Sequence, residues 1–155
     1  MERMVNKMEI VKYEDVSYDL SIEIANKINA RRGNCFYNAS IGLSAVKDGK
    51  YIIGYVICHG DNVAVEHGWI VADGVVIDPT SIIPPADYPY NFSDLSDSVY
   101  YAVLQFNDAE MMQHIIKNKD NPSFQKMKEY SHKMIEAQQI IQNDIGRNIN
   151  FLESE

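Results

Sequence analysis

Asp73-Gly74 stands between two apolar runs, Val63-Ala64-Val65-Glu66-His67-Gly68-Trp69-Ile70-Val71-Ala72 and Val75-Val76-Ile77-Asp78. An Asp-Gly pair tolerates the positive φ angles of a two-residue loop and joins strands whose twist it matches, so this segment is constrained to a tight antiparallel hairpin. With Asp73 and Gly74 as the loop, Ala72 faces Val75, Ile70 faces Ile77 and Trp69 faces Asp78. His67, two residues from Trp69, then shares a face with Asp78. Diagonal neighbours of this kind lie roughly 7 Å apart at Cα, a gap that an imidazole and a carboxylate can close with a hydrogen bond. A one-residue slip in register would put them on opposite faces.

A thiol precedes the hairpin. Arg31-Arg32-Gly33-Asn34 is a polar, turn-like run, and Phe36, Ala39, Leu43 and Val46 after it recur at helical intervals, which predicts a helix from Phe36 to Lys47. Cys35 therefore falls at a helix N-terminus, where unpaired backbone N–H groups and the positive end of the helix dipole favour a thiolate and can receive an oxyanion. Thiol, imidazole and carboxylate are the three groups a Cys-His-Asp hydrolase needs. The thiolate attacks, the imidazole takes up and returns the proton, and the carboxylate fixes the tautomer of the imidazole and stabilises its cation.

Three blocks carry a resemblance: Gly33-Asn34-Cys35-Phe36-Tyr37-Asn38-Ala39, His67-Gly68-Trp69-Ile70 and Val76-Ile77-Asp78-Pro79-Thr80. Together, over Gly33 to Thr80, they resemble the papain-like superfamily and, within it, the transglutaminase-like core. His67-Gly68-Trp69 is similar to that family's His-Ala-Trp, and Val76 to Thr80 to its strand ending in Asp-Pro-Thr. The resemblance implies an α+β domain with the nucleophile helix packed on an antiparallel β-sheet. It makes Cys35 the nucleophile, His67 the general base and acid, and Asp78 the orienting carboxylate, with Trp69 a residue of the site wall or core. Two positions depart from the family pattern: Gly68 stands where the family has Ala, and Phe36 where Trp often follows the nucleophile. Papain-type enzymes also carry a Gln a few residues before the Cys as oxyanion donor; here Asn29 and Asn34 are the upstream candidates.

The remaining elements read as one domain over 1–155. Met8 to Tyr13 reads as a short first strand, Val16 to Ile28 as a helix, Tyr51 to Ile57 as a strand and Val99 to Phe106 as another, so the sheet should have at least four strands. Asn107-Asp108 caps a short helix through Ile116. A last helix begins at Asn121 and Pro122 and carries Phe124, Met127, Ser131, Met134, Gln138, Ile141 and Ile145 along one stripe. The C-terminal region is thus helical over 107–150, with a frayed tail at 151–155. Between hairpin and final strand, Ser81 to Ser93 is rich in Pro and Tyr and cannot be a regular element. Tyr88 and Tyr90 in it are candidates for holding a substrate side chain.

Composition narrows the function classes. A chain of 155 residues, 46% hydrophobic, buries a core without metal or disulfide staples. Two cysteines make no disulfide framework, and the chain does not open on a charged run followed by an apolar one, so a reducing, cytoplasmic setting is expected. Cys35, Cys58, His59 and His67 lack the paired short spacing of a zinc site, so neither metal nor other cofactor is expected. The net charge is −8, and no Lys or Arg falls between Lys50 and Lys117 while nine acids do. Such surroundings disfavour nucleic acid and suit a basic or neutral protein or peptide substrate; apolar runs of strand length exclude a membrane span. Oligomeric state is left open. The expectation is a cysteine hydrolase or acyltransferase working on an amide through a thioester, with a catalytically silent binding module or effector of the same fold as the alternative.

Overall fold

Asp73 and Gly74 take the positive φ angles their turn requires, 52° and 74°, in a computed structural model that describes residues 9–31, 33–58, 62–81, 98–118 and 129–154. Among these residues the chain order is β1 (Val11–Tyr13), α1 (Tyr18–Ile28), α2 (Cys35–Leu43), β2 (Lys50–Ile57), β3 (Val65–Ala72), β4 (Val75–Ile77), β5 (Val99–Phe106), α3 (Asp108–Asn118) and α4 (Ser131–Ser154). The class is α+β. The strands form one five-stranded antiparallel sheet in the order β1-β5-β2-β3-β4.

The sheet is curled, and the reason is a matter of reach. β1 pairs with β5 at one edge, yet Val16, three residues after Tyr13, bridges to Val76 at the opposite edge. There the Ser17 N–H donates to the Val76 carbonyl and the Val76 N–H to that of Asp15, both at 2.8 Å. Crossing a flat sheet would take about five strand spacings, or roughly 24 Å, whereas three residues reach about 10 Å. The edges must therefore approach one another, and a register shift between Ile53 and Gly54, opposite β5, adds to the curl.

Curling gives the sheet two apolar faces. The outer face carries Tyr51, Ile53, Tyr55, Ile70, Ile77, Tyr101 and Val103 against Ile24 of α1, Ala39 and Leu43 of α2, Met111 of α3 and Met134, Ala137 and Ile141 of α4. The inner face is smaller and holds Ile52, Val56, Trp69, Val71, Val76, Tyr100 and Ala102, with Val11, Tyr13 and Val16 packed against it. β2 is buried on both sides, which is why it reads as a continuous apolar run.

The helices differ from expectation mainly at their ends. Val16 belongs to the edge bridge, so α1 starts later, with the Ser17 hydroxyl capping the Leu20 N–H. α2 stops at Leu43 rather than Lys47, because the Ala45 and Val46 amides turn back to Gly42 and Leu43 and close the last turn tightly. α3 opens on a reciprocal capping box, in which Asn107 N–H donates to Glu110 Oε1 and Glu110 N–H to Asn107 Oδ1, and it runs to Asn118. Asn121, Pro122, Phe124 and Met127 lie outside the described residues. Glu129 and Tyr130 form a turn, so the described helix begins only at Ser131, and it runs through Ser154. Among the described residues no helix is long and apolar enough to cross a membrane.

Candidate active site

Ile70 faces Ile77, Val71 faces Val76 and Ala72 faces Val75, the register set by a two-residue loop. Carried one residue further, it puts Asp78 on the inner face with His67. The His67 Nε2–H donates to Asp78 Oδ2 at 2.8 Å. Both groups are buried, His67 to 8% exposure and Asp78 to 0%.

A buried carboxylate survives only when its lone pairs are filled. Oδ2 also accepts from the Ser81 hydroxyl at 2.6 Å and the Tyr100 hydroxyl at 2.7 Å, while Oδ1 accepts the backbone N–H groups of Thr80 and Ser81, each at 3.2 Å. The Asp78 N–H in turn donates to Ser21 Oγ at 2.9 Å, which ties the site to α1. Burial pushes the Asp78 carboxyl upward, but the charge and hydrogen bond of His67, with the Ser81 and Tyr100 hydroxyls, outweigh it and hold the group at about 2. Burial likewise pushes His67 down; the Asp78 charge, its hydrogen bond and Cys35 carry the imidazole well above its ordinary value. Tyr100, buried beside an anion, is held well above the usual phenol range and stays a neutral donor.

Cys35 is the first residue of α2 and half-buried, and its thiol is among the groups that raise the His67 imidazole. Because Nε2 is committed to Asp78, Nδ1 is the ring nitrogen left for the thiol. The first intrahelical bond runs from Asn38 N–H to Asn34 O at 2.8 Å, so the Cys35 amide precedes the ladder. β4 ends opposite Ile70, which leaves the first half of β3 without that neighbour, and the start of α2 lies against this stretch with the Phe36 ring over Gly68. Asn38, one turn beyond Cys35 and fully buried, fastens the helix. Its amide donates to Thr80 Oγ1 at 2.9 Å and to the Arg31 carbonyl at 2.7 Å, and its oxygen accepts the Arg31 N–H at 3.0 Å.

The other candidates from sequence are dispersed. Asn29 is the left-handed C-cap of α1, with φ 54°, and its backbone N–H closes that helix. Asn34 is the N-cap residue directly before Cys35, and its side chain makes no capping bond. Trp69 is 0% exposed and so does not line a surface that substrate can touch; its indole stacks behind the His67 ring at 6.0 Å and meets Tyr100 edge-on at 5.0 Å. Its role is that of a wall behind the imidazole, and its Nε1 is, among the described residues, the one buried side-chain polar atom without a hydrogen-bond partner. Tyr88, Tyr90 and His59 lie outside the described residues. Among those described, no group of three or more His, Cys, Asp or Glu is placed to hold a metal.

Four contributors were not singled out from sequence: Ser21, Asn38, Ser81 and Tyr100. Asn38 had a usable signal, since a polar residue three after Cys35 shares its helix face. Ser81 had a weaker one, because an Asp before Pro-Thr-Ser readily accepts the amides that follow it in an Asx turn. Tyr100 and Ser21 had none, because the pairing of Tyr100 with Val56 and the packing of α1 are tertiary.

No protein-family model, curated protein or solved structure matches the chain.

Proposed function

We propose that the protein is a cysteine hydrolase or acyltransferase of papain-like, transglutaminase-like type, acting on an amide or peptide bond through Cys35, His67 and Asp78. The observation that carries this reading is the buried His67–Asp78 pair at 2.8 Å, with the thiol of Cys35 at the start of α2 acting on the same ring. His67 Nδ1 takes the Sγ proton, and the thiolate attacks the carbonyl carbon. The resulting oxyanion accepts from the Cys35 N–H at the start of α2. The C–N bond then breaks, the imidazolium proton leaves with the amine, and a thioester remains. Water, deprotonated by His67, releases a carboxylic acid and restores the thiol; an acceptor amine in place of water gives transfer. The substrate class is a protein or peptide of neutral or basic character, in keeping with the lack of Lys and Arg between Lys50 and Lys117.

The test is the rate of Cys35 alkylation by iodoacetamide against pH, in a Cys58→Ser background, with and without His67→Ala. A reactive plateau well below the ordinary thiol value of about 8.5, lost in His67→Ala, is expected. An ordinary thiol indifferent to His67 would overturn the reading in favour of a silent binding module.

A further inference from the structure

Gly68 and Phe36 are the two positions at which the chain departs from the family wording, and they lie against each other. A Cβ built on Gly68 would sit 2.7 Å from Phe36 Cδ1, 3.3 Å from Cε1 and 3.4 Å from Ile53 Cδ1. The shortest of these is about 1 Å inside the optimal carbon–carbon separation of roughly 3.5–4.0 Å. Gly68 belongs to β3, next in chain to His67; Phe36 belongs to α2, next in chain to Cys35. The space a methyl would fill therefore lies where the residue after Cys35 packs on the residue after His67, on the opposite side of β3 from the imidazole. Relief by rotating the ring is restricted, because a helical Phe has few allowed χ1 positions and this one is packed against the outer core beside Ile53.

We infer that the bare Cα of Gly68, by letting the Phe36 ring close onto β3, sets the separation of Cys35 from His67, so that Gly68 and Phe36 are positioning residues for the thiol–imidazole pair. The inference rests on the function proposed above. A methyl at position 68 lifts the start of α2 from the strand while leaving His67 bonded to Asp78, and displacements of about 1 Å between reacting groups cost on the order of 100-fold in rate.

The experiment compares four proteins in the Cys58→Ser background: the parent, Gly68→Ala, Phe36→Leu with Gly68→Ala, and His67→Ala. Iodoacetamide rates against pH report the thiol, and the imidazole proton resonances of His67 report its pairing with Asp78. In Gly68→Ala the low-pH plateau is expected to fall by about 100-fold with the His67 titration retained, and the double variant should recover most of the rate because the smaller side chain makes room. A mere loss of stability would move neither the pH profile of the folded protein nor its recovery by a second truncation. A folded Gly68→Ala with the parent's profile overturns the inference. Where Gly68→Ala does not fold, the double variant decides: folded with the plateau supports the inference, folded without it overturns it. A parent indistinguishable from His67→Ala refutes the proposed enzyme itself, and so is distinct from either result.

Discussion

The two faces of the one sheet are built to different rules. Outside, Ile53, Tyr55, Ile70 and Ile77 form one apolar cluster with Leu43, Met111, Met134 and Ile141 from three helices. Inside, a much smaller apolar group surrounds an ionised Asp78 and an imidazole, with hydroxyls of Ser81 and Tyr100 and two backbone amides turned onto the carboxylate. Apolar burial is the economical way to stabilise a domain of this size. A buried ion pair is not, since hydrophobic residues of similar volume often do as well or better. The inner face therefore spends stability on keeping two charges in a fixed geometry, and that is the behaviour of a site.

The sharpest break between the faces is a pair of truncations. Asp78→Ala removes the acceptor of five hydrogen bonds and leaves a buried imidazole and two hydroxyls without it. It should cost about 3–5 kcal/mol in chemical denaturation, and abolish the low-pH reactivity of Cys35. Met134→Ala, on the outer face at 0% exposure, should cost a comparable 2–5 kcal/mol through the cavity it leaves, yet spare the alkylation profile of the folded protein. Loss of the profile in both variants, or in neither, would show that the faces are not functionally separate.

Much of the inner face was legible because it is local. Asp73-Gly74 determined the hairpin register, and register alone brought His67 to Asp78. The helix start at Cys35 came from spacing, and the strand Val99–Phe106 was readable to the residue. What could not be read depends on contacts distant in sequence. The early end of α2 is an exception, a local tight turn over Gly42 to Val46 that helical spacing does not reveal, whereas the edge bridge of Val16 to Val76 is one such distant contact. The same holds for the Tyr100 hydroxyl and for the slot at Gly68, where only the packed structure shows that a methyl would collide with Phe36. Trp69, expected in the site wall or core, lies fully buried behind the His67 ring.

Titration separates the faces next, since the shifted carboxyl and imidazole, Asp78 and His67, both lie on the inner one. Asp78 is depressed from 3.8 to about 2, so its contribution is fully present above about 4 and is lost as pH falls through 2. His67 is raised above its unfolded value of 6.5, so its contribution is complete below 6.5 and is lost as pH rises through the folded value. Stability should thus be greatest between about pH 4 and 6.5, with the acid limb alone amounting to roughly 2–3 kcal/mol. Denaturation midpoints across pH 2–9 check this, and Asp78→Ala should flatten both limbs. A profile unchanged by Asp78→Ala would place the pH dependence elsewhere.

The finest comparison removes one hydroxyl from each face. Tyr55 Oη donates to the Met134 carbonyl at 2.8 Å outside, and Tyr100 Oη donates to Asp78 Oδ2 at 2.7 Å inside. Tyr55→Phe takes away a neutral hydrogen bond and should cost about 1 kcal/mol with no effect on any titration. Tyr100→Phe takes away a bond to a charge and should cost about 1.5–3 kcal/mol. It should also move the acid limb upward, because the carboxylate loses a donor that favours its ionised form. With one partner fewer, the negative charge of Asp78 falls more heavily on His67, so the imidazole should hold its proton to higher pH. Histidine resonances followed by pH titration in the two variants separate these effects. Equal behaviour of the two phenylalanine variants would mean that the Tyr100 hydroxyl is simply packing, and that Asp78 is kept ionised by His67, Ser81 and the backbone alone.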